Sequence, residues 1–335
     1  MMKQRVLYLD IVRILACLMV ILMHSPQPQS AHSLVLSSIS LLAAPCIGLF
    51  FMVSGALILP VSQPINIFLK HRFTKIVIPV LFWSLFYLLI RYFNADDLEE
   101  LFISIISIPF STQGCAHFWF IYVLIGLYFL APIISAWLQK ASKREIEFYL
   151  LLWLVTMCYP IINSFIRVND EVSGILYYFA GYVGYFVLGY YLHNYIKYWN
   201  IWILAAMYIL PLGCAVVCKL SEFEVDFYSV FWYLSISVVS MCVALFMVIK
   251  KLFAVIKLNK WLENALIDFS RCSFGIYLIH LFVVRDVLWR MDLTFLPNGG
   301  GILETFLIAT IFSYLIVHLI SRFPGAEYFV GFKRK

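Results

Sequence analysis

Charge is what this chain has least of. Only 13% of its 335 residues are Asp, Glu, Lys or Arg, against roughly 25% in an ordinary soluble domain, and 64% are hydrophobic. Apolar runs of about twenty residues recur from end to end, with no polar stretch long enough for a separate soluble domain. Residues 1–335 are therefore expected to form a single integral membrane domain. The eight cysteines show no zinc-like paired spacing, and Cys17, Cys46, Cys158 and Cys242 fall inside apolar runs, so they read as small packing residues and no metal is expected. The net charge of +6 would suit a nucleic-acid partner, but its basic residues sit in short loops between apolar runs, where they set topology instead.

The fold class that follows is all-α membrane, with about ten transmembrane helices near 7–24, 36–58, 74–93, 118–138, 147–166, 174–193, 201–219, 229–250, 271–290 and 302–321. Loop charges alternate. Basic residues precede the first span and recur after each even-numbered one, at Lys70, Arg72 and Lys75, then Lys140, Lys143 and Arg144, then Lys197, then Lys250, Lys251, Lys257 and Lys260. Acids such as Asp96, Asp97, Glu99, Glu100, Glu222, Glu224 and Asp226 crowd the intervening loops. By the positive-inside rule both termini are cytoplasmic. A cleavable signal peptide at the start is disfavoured, because Asp10 and Arg13 interrupt what should be a clean apolar segment.

The first span, Leu7–His24, carries Asp10, Arg13 and His24. At about 100° per residue the step from Arg13 to His24 comes within about 20° of three whole turns, so the two share one edge some 16 Å apart along the axis. Asp10 lies one turn before Arg13, in reach of an i,i+3 ion pair. Charge inside a bilayer is costly, so such a stripe is expected to face protein or water and to serve a function. The plainer reading is that Arg13 snorkels to the near interface while His24 marks the far end.

Several other residues invite two readings. Ser54 and Gly55, and the glycines Gly181, Gly184 and Gly189, fit close helix packing. Lys70, His71, Arg72 and Lys75 form a cationic patch in an expected loop, Asn66–Pro79. Topology and anionic membrane lipids explain it, and so does a phosphate site. The outer segment 94–116 is expected to hold a short helix over Leu98–Pro109. His117 and Trp119 open the fourth span, either as interface anchors or as a wall of an acceptor-sugar site. Ser273, Tyr277 and His280 fall on one stripe of the ninth, where His280 is either a satisfied core histidine or a chemical participant.

Taken in order, the R-x10-H spacing of Arg13 and His24, the preceding YLDIVR, LFFMVSG, FLKHRFTKIVIP, HFWFIYVLIGLYFLAP, YFVLGYYL and SFGIYLIH resemble the acyltransferase-3 family of integral membrane acyltransferases, from near residue 5 to about 320. The resemblance implies transfer of an acyl group, usually acetyl, from cytosolic acyl-CoA to a hydroxyl of an envelope polysaccharide or lipid-linked glycan at a bacterial inner membrane. It implies that Arg13 and His24 are the family's essential pair, with His24 as general base or acyl relay and Arg13, held by Asp10, on the oxyanion or the donor phosphates. Arg72 and Lys75, with Lys70 beside them, match its basic donor-side loop, and Ser54-Gly55 its second-span signature. His71 stands where the family more often has arginine. Larger members append an extracytoplasmic hydrolase-like domain; with the chain ending at Lys335, all chemistry is expected from the membrane part. The rival reading is a glycan exporter or flippase without acyl chemistry, against which stands the lack of an internal repeat or of paired broken helices.

Overall fold

The computed structural model describes residues 5–26, 34–92, 98–112, 115–166, 176, 179–220, 230–290 and 300–334, and these contain helices and no strand. Among them, nine helical segments are long and apolar enough to cross a membrane. The chain is thus an all-α membrane protein. Asp96, Asp97, Glu222, Glu224 and Asp226 lie outside the described residues, as do residues 174, 175, 177 and 178 of the expected sixth span. The helix described in that span is Val183–Asn194, whose 12 residues cover about 18 Å and fall short of a crossing. Just ahead of it Gly181 has φ +96°. That left-handed backbone breaks the helix, and nothing lies within 4 Å of where a β-carbon would sit there. Gly181 thus serves conformation and not the close packing expected of it.

The expected loop over Asn66–Pro79 is instead helical. Ile65–Arg72 runs through a π turn at Phe73–Val77 into Ile78–Tyr92, so the third segment reaches back to Ile65. Lysine and arginine end an apolar run without ending a helix, for both are good helix formers. The wide turn precedes Pro79, which has no N–H to return to Lys75 in the α pattern. The ninth expected span likewise starts earlier, at Lys260, and continues as a π-helix over Phe282–Trp289. The expected outer helix is present as Leu98–Ser107.

The chain divides into two compact units, residues 1–60 with 133–270, and residues 61–132 with 271–335. In the first, α1 (Leu7–His24) and α2 (Leu34–Ala43) lead into α3 (Pro45–Ile58), which is buried almost all round, as an element apolar on every face should be. Against α3 packs Val183–Asn194. A β-carbon on Gly55 would collide with the carbonyl of Phe186, and one on Gly189 with that of Met52, so the two helices run antiparallel with their backbones touching. Gly184 admits the Trp153 ring in the same way, and these three glycines do pack as expected. The carbonyls at the end of Val183–Asn194 are capped by the Lys250 ammonium, which donates to Leu192, His193 and Ile196 at 2.8, 2.9 and 2.7 Å. A residue expected only to set topology therefore closes a helix.

In the second unit the Trp83 indole donates to the Phe329 carbonyl at 2.9 Å, fixing the short helix Glu327–Val330 against Ile78–Tyr92. Gly331, at φ +80°, lets the chain turn beside the carbonyl of Lys75.

Gly55→Ala and Gly189→Ala are each expected to lower the melting temperature of detergent-solubilised protein by several degrees, since overpacking costs about 1–3 kcal/mol or more. Gly213→Ala, with nothing within 4 Å of its β-carbon position, should be neutral or mildly stabilising. Equal melting of all three variants would contradict the packing described.

Candidate active site

In the first unit, helix α1 is regular from Leu7 to His24, which holds Arg13 and His24 to the single edge that periodicity requires. Both are half-buried, while Cys17 and Val20, which lie on the same edge between them, are 1% and 2% exposed. The edge is therefore turned toward protein.

His24 is wired to its own helix. Its Nδ1 lies 2.8 Å from the Val20 carbonyl oxygen, one turn back. A carbonyl can only accept, so Nδ1 carries the proton, and in the neutral ring the lone pair belongs to Nε2. Ser25 repeats the arrangement with its hydroxyl on the Ile21 carbonyl at 2.7 Å. At the end of α1 the Ser25 hydroxyl thus satisfies one of the last carbonyls, and the Val20 carbonyl selects one tautomer of the His24 imidazole.

Asp10 does not take the partner expected of it. Its carboxylate receives Arg5 Nε at 2.7 Å and Nη2 at 2.8 Å, a two-point pair, and the Ser270 hydroxyl at 2.6 Å. The i,i+3 pairing with Arg13 is corrected to this one. Arg5 precedes the helix and can lay its planar fork along both oxygens, a geometry that an arginine rooted one turn up the same helix attains less readily. With Asp10 only 6% exposed, the bridge ties the start of α1 to Ser270 and acts as an anchor.

The second unit gathers the remaining candidates in two places. Near its start Arg72 is turned inward while Lys70, His71 and Lys75 are exposed. The Arg72 guanidinium carbon lies 5.2 Å from the Phe68 ring centre and 5.0 Å from that of Tyr128. Lys70, Arg72, Val77, Ile125, Tyr128 and Phe129 line a cavity of about 250 Å³ there. Arg72 Nε is buried with no hydrogen-bond partner, a donor that an anionic ligand such as a phosphate would satisfy. Of the four residues of the cationic patch, Arg72 is thus turned inward against two rings, and the exposed Lys70 shares its cavity.

The other gathering joins His117, Tyr277 and His280. The Tyr277 hydroxyl donates to the His117 carbonyl, and the His280 ring stands edge-on to that of His117 at 5.8 Å and 87°. Tyr277 and His280 are 4% and 0% exposed, so the ninth-span stripe faces the interior as its spacing requires. His117 is half-buried among Tyr87, Phe118 and Tyr277, and Trp119 is half-buried beside it in sequence. His280 repeats the wiring of His24, with Nδ1 2.7 Å from the Tyr277 carbonyl, which again leaves the lone pair on Nε2. Among the described residues no group of three or more His, Cys, Asp or Glu is placed to hold a metal.

Sequence reasoning passed over Arg5 and Ser270, Tyr128, and Tyr87. Phe68 was within its reach, because it stands at i−4 from Arg72, the spacing at which an aromatic and a guanidinium meet on a helix.

Neither the curated proteins nor the solved structures compared with the chain gave a significant match. The acyltransferase-domain family model, by contrast, matches residues 6–322, a stretch that holds both gatherings and the whole of α1. With the nine membrane-crossing segments, that match places the chain in the acyltransferase-3 family: it is a membrane acyltransferase.

Proposed function

We propose that the enzyme is an O-acetyltransferase of a bacterial inner membrane, moving acetyl from cytosolic acetyl-CoA to a hydroxyl of an envelope polysaccharide or lipid-linked glycan. The observation that carries this reading is the tautomer of His24 on an inward-facing edge shared with Arg13. Nε2 is the atom at which a sugar hydroxyl loses its proton, or at which acetyl rests if it passes by way of the ring. In either route the acetyl carbon forms a new C–O bond, the C–S bond breaks, and coenzyme A leaves with the proton on its thiol. Arg13 serves the negative charge of the thioester oxyanion or of the donor phosphates, where a fixed guanidinium in a water-poor site is most effective. The loop charges, which assign the Arg13 end of the helix to the cytoplasm and the His24 end to the outside, support a path from a cytosolic donor to an extracytoplasmic acceptor.

Arg72 is proposed as a donor-side residue on the strength of its buried, unpartnered Nε, with Lys70 and Lys75 adding charge at the surface. His117, Trp119, Tyr277 and His280 are proposed to border the acceptor. Sugars are commonly held between aromatic faces and single hydrogen-bonding groups, and this unit offers both. In length and plan the chain resembles the stand-alone enterobacterial common antigen O-acetyltransferase.

Supplying labelled acetyl-CoA to membranes that contain the enzyme and its acceptor glycan should move label into glycan. His24→Ala, inserted at normal yield, should lose about 10²–10⁴-fold in rate, the usual worth of a general base. Transfer at the normal rate by that variant would refute the role given to His24. For Arg72→Ala the expected result is a KM for acetyl-CoA raised about tenfold with kcat little changed, the worth of roughly 1.4 kcal/mol of donor binding. Arg72→Lys should not restore it, because a compact ammonium does not reproduce the contact of the broad guanidinium with both the Phe68 and Tyr128 rings. A KM unmoved by either substitution would remove Arg72 from the donor site.

A further inference from the structure

The α-helix Lys260–Leu281 gives way to the π-helix Phe282–Trp289 at one rung of its ladder. In an uninterrupted α-helix the N–H of Phe282 would donate to the carbonyl of Leu278. Here the hydroxyl of Tyr87 stands between them. Phe282 N–H donates to Tyr87 Oη at 3.0 Å, and Tyr87 Oη donates to the Leu278 carbonyl at 3.0 Å. A hydroxyl both accepts and donates, so one side chain satisfies both halves of the opened rung. Insertion of a side chain into the ladder is a recognised cause of such a distortion, and π turns concentrate at functional sites.

The rung that Tyr87 opens, Leu278 to Phe282, encloses His280. Its aromatic ring meanwhile packs against His117 at 5.1 Å and 78°, and against Phe118 at 5.8 Å and 82°. One residue therefore supports both imidazoles, the backbone of one and the ring of the other. A tyrosine that merely needed burial could have spent its hydroxyl on any spare carbonyl and left the helix whole.

We propose that Tyr87 is a positioning residue for the His117–His280 pair: by holding the rung open it sets the direction in which His280 presents Nε2. The inference rests on the reading above, in which the two histidines border the acceptor. Tyr87→Phe keeps the ring against His117 and removes only the inserted hydroxyl, letting Phe282 N–H close onto the Leu278 carbonyl.

The test is a double-mutant cycle on the full-length enzyme in lipid nanodiscs, combined with nitrogen-15 spectra of histidine-labelled protein. Tyr87→Phe should lower kcat by roughly 10- to 100-fold, the scale of a misplaced group, with the KM for acetyl-CoA unchanged. In a His280→Ala background the same substitution should have no further effect, because it acts through His280. The imidazole resonances that His280→Ala removes should be displaced in Tyr87→Phe. If the losses instead multiply, or if those resonances do not move, Tyr87 does not position His280. Unchanged turnover in Tyr87→Phe overturns the inference alone, whereas unchanged turnover in His280→Ala overturns the acceptor role of His280 and the inference with it.

Discussion

In a membrane every polar group must find its partner inside the protein, and that constraint shapes each notable feature of this chain. The Asp10 carboxylate is neutralised at two points by Arg5 and by the Ser270 hydroxyl. The Lys250 ammonium spends its three donors on three carbonyls that a helix end would otherwise leave bare. The Tyr87 hydroxyl takes up a donor and an acceptor released from one rung. Several buried side-chain atoms among the described residues depart from that pattern, and one of them, Arg72 Nε, is a donor on a charged group that lines a cavity, where a ligand is to be sought.

Packing answers a second demand. With lipid as apolar as leucine, helices gain little by merely burying hydrophobic surface against each other, and close approach of backbones replaces it. The contact of α3 with Val183–Asn194 through Gly55 and Gly189 is of this kind, and it makes the centre of the first unit rigid where α1 has to lie. The Asp10 bridge then fixes the start of α1 and the side-chain bonds of His24 and Ser25 finish it. A helix held at both ends keeps Arg13 and His24 in a fixed relation along its edge.

Much of this is legible in the residues. Scarcity of charge marks the spans, and the eleven-residue step from Arg13 to His24 places them on one edge whatever surrounds the helix. Gly55, Gly184 and Gly189 announce close packing, and the stripe of Ser273, Tyr277 and His280 announces a buried face. What escapes has a common physical cause. Hydropathy registers where an apolar run ends, whereas a helix ends only where its hydrogen bonds do, so the cationic turn through Lys70 and Arg72 reads as a loop although it is helical. Local spacing likewise offers Asp10 the partner three residues on, but a carboxylate takes the donor of best geometry, which comes from Arg5 outside the helix. Tyr87 and Leu278 are 191 residues apart, and no periodicity links residues so distant.

The two wired histidines show how one local device can serve unlike ends. Each gives Nδ1–H to a carbonyl of the preceding turn, so in the neutral ring each keeps a lone pair on Nε2. They differ in access. His24 is half-buried at the end of its helix, whereas His280 is fully enclosed. An enclosed imidazole meets a substrate only if its direction is fixed beforehand, and that is the setting in which a hydroxyl inserted in the adjoining rung has a purpose. At the end of α1 the Val20 carbonyl chooses the tautomer of His24. The division of labour proposed for them, proton or acyl transfer at His24 and recognition at His280, follows from that difference in surroundings and not from any difference in the ring.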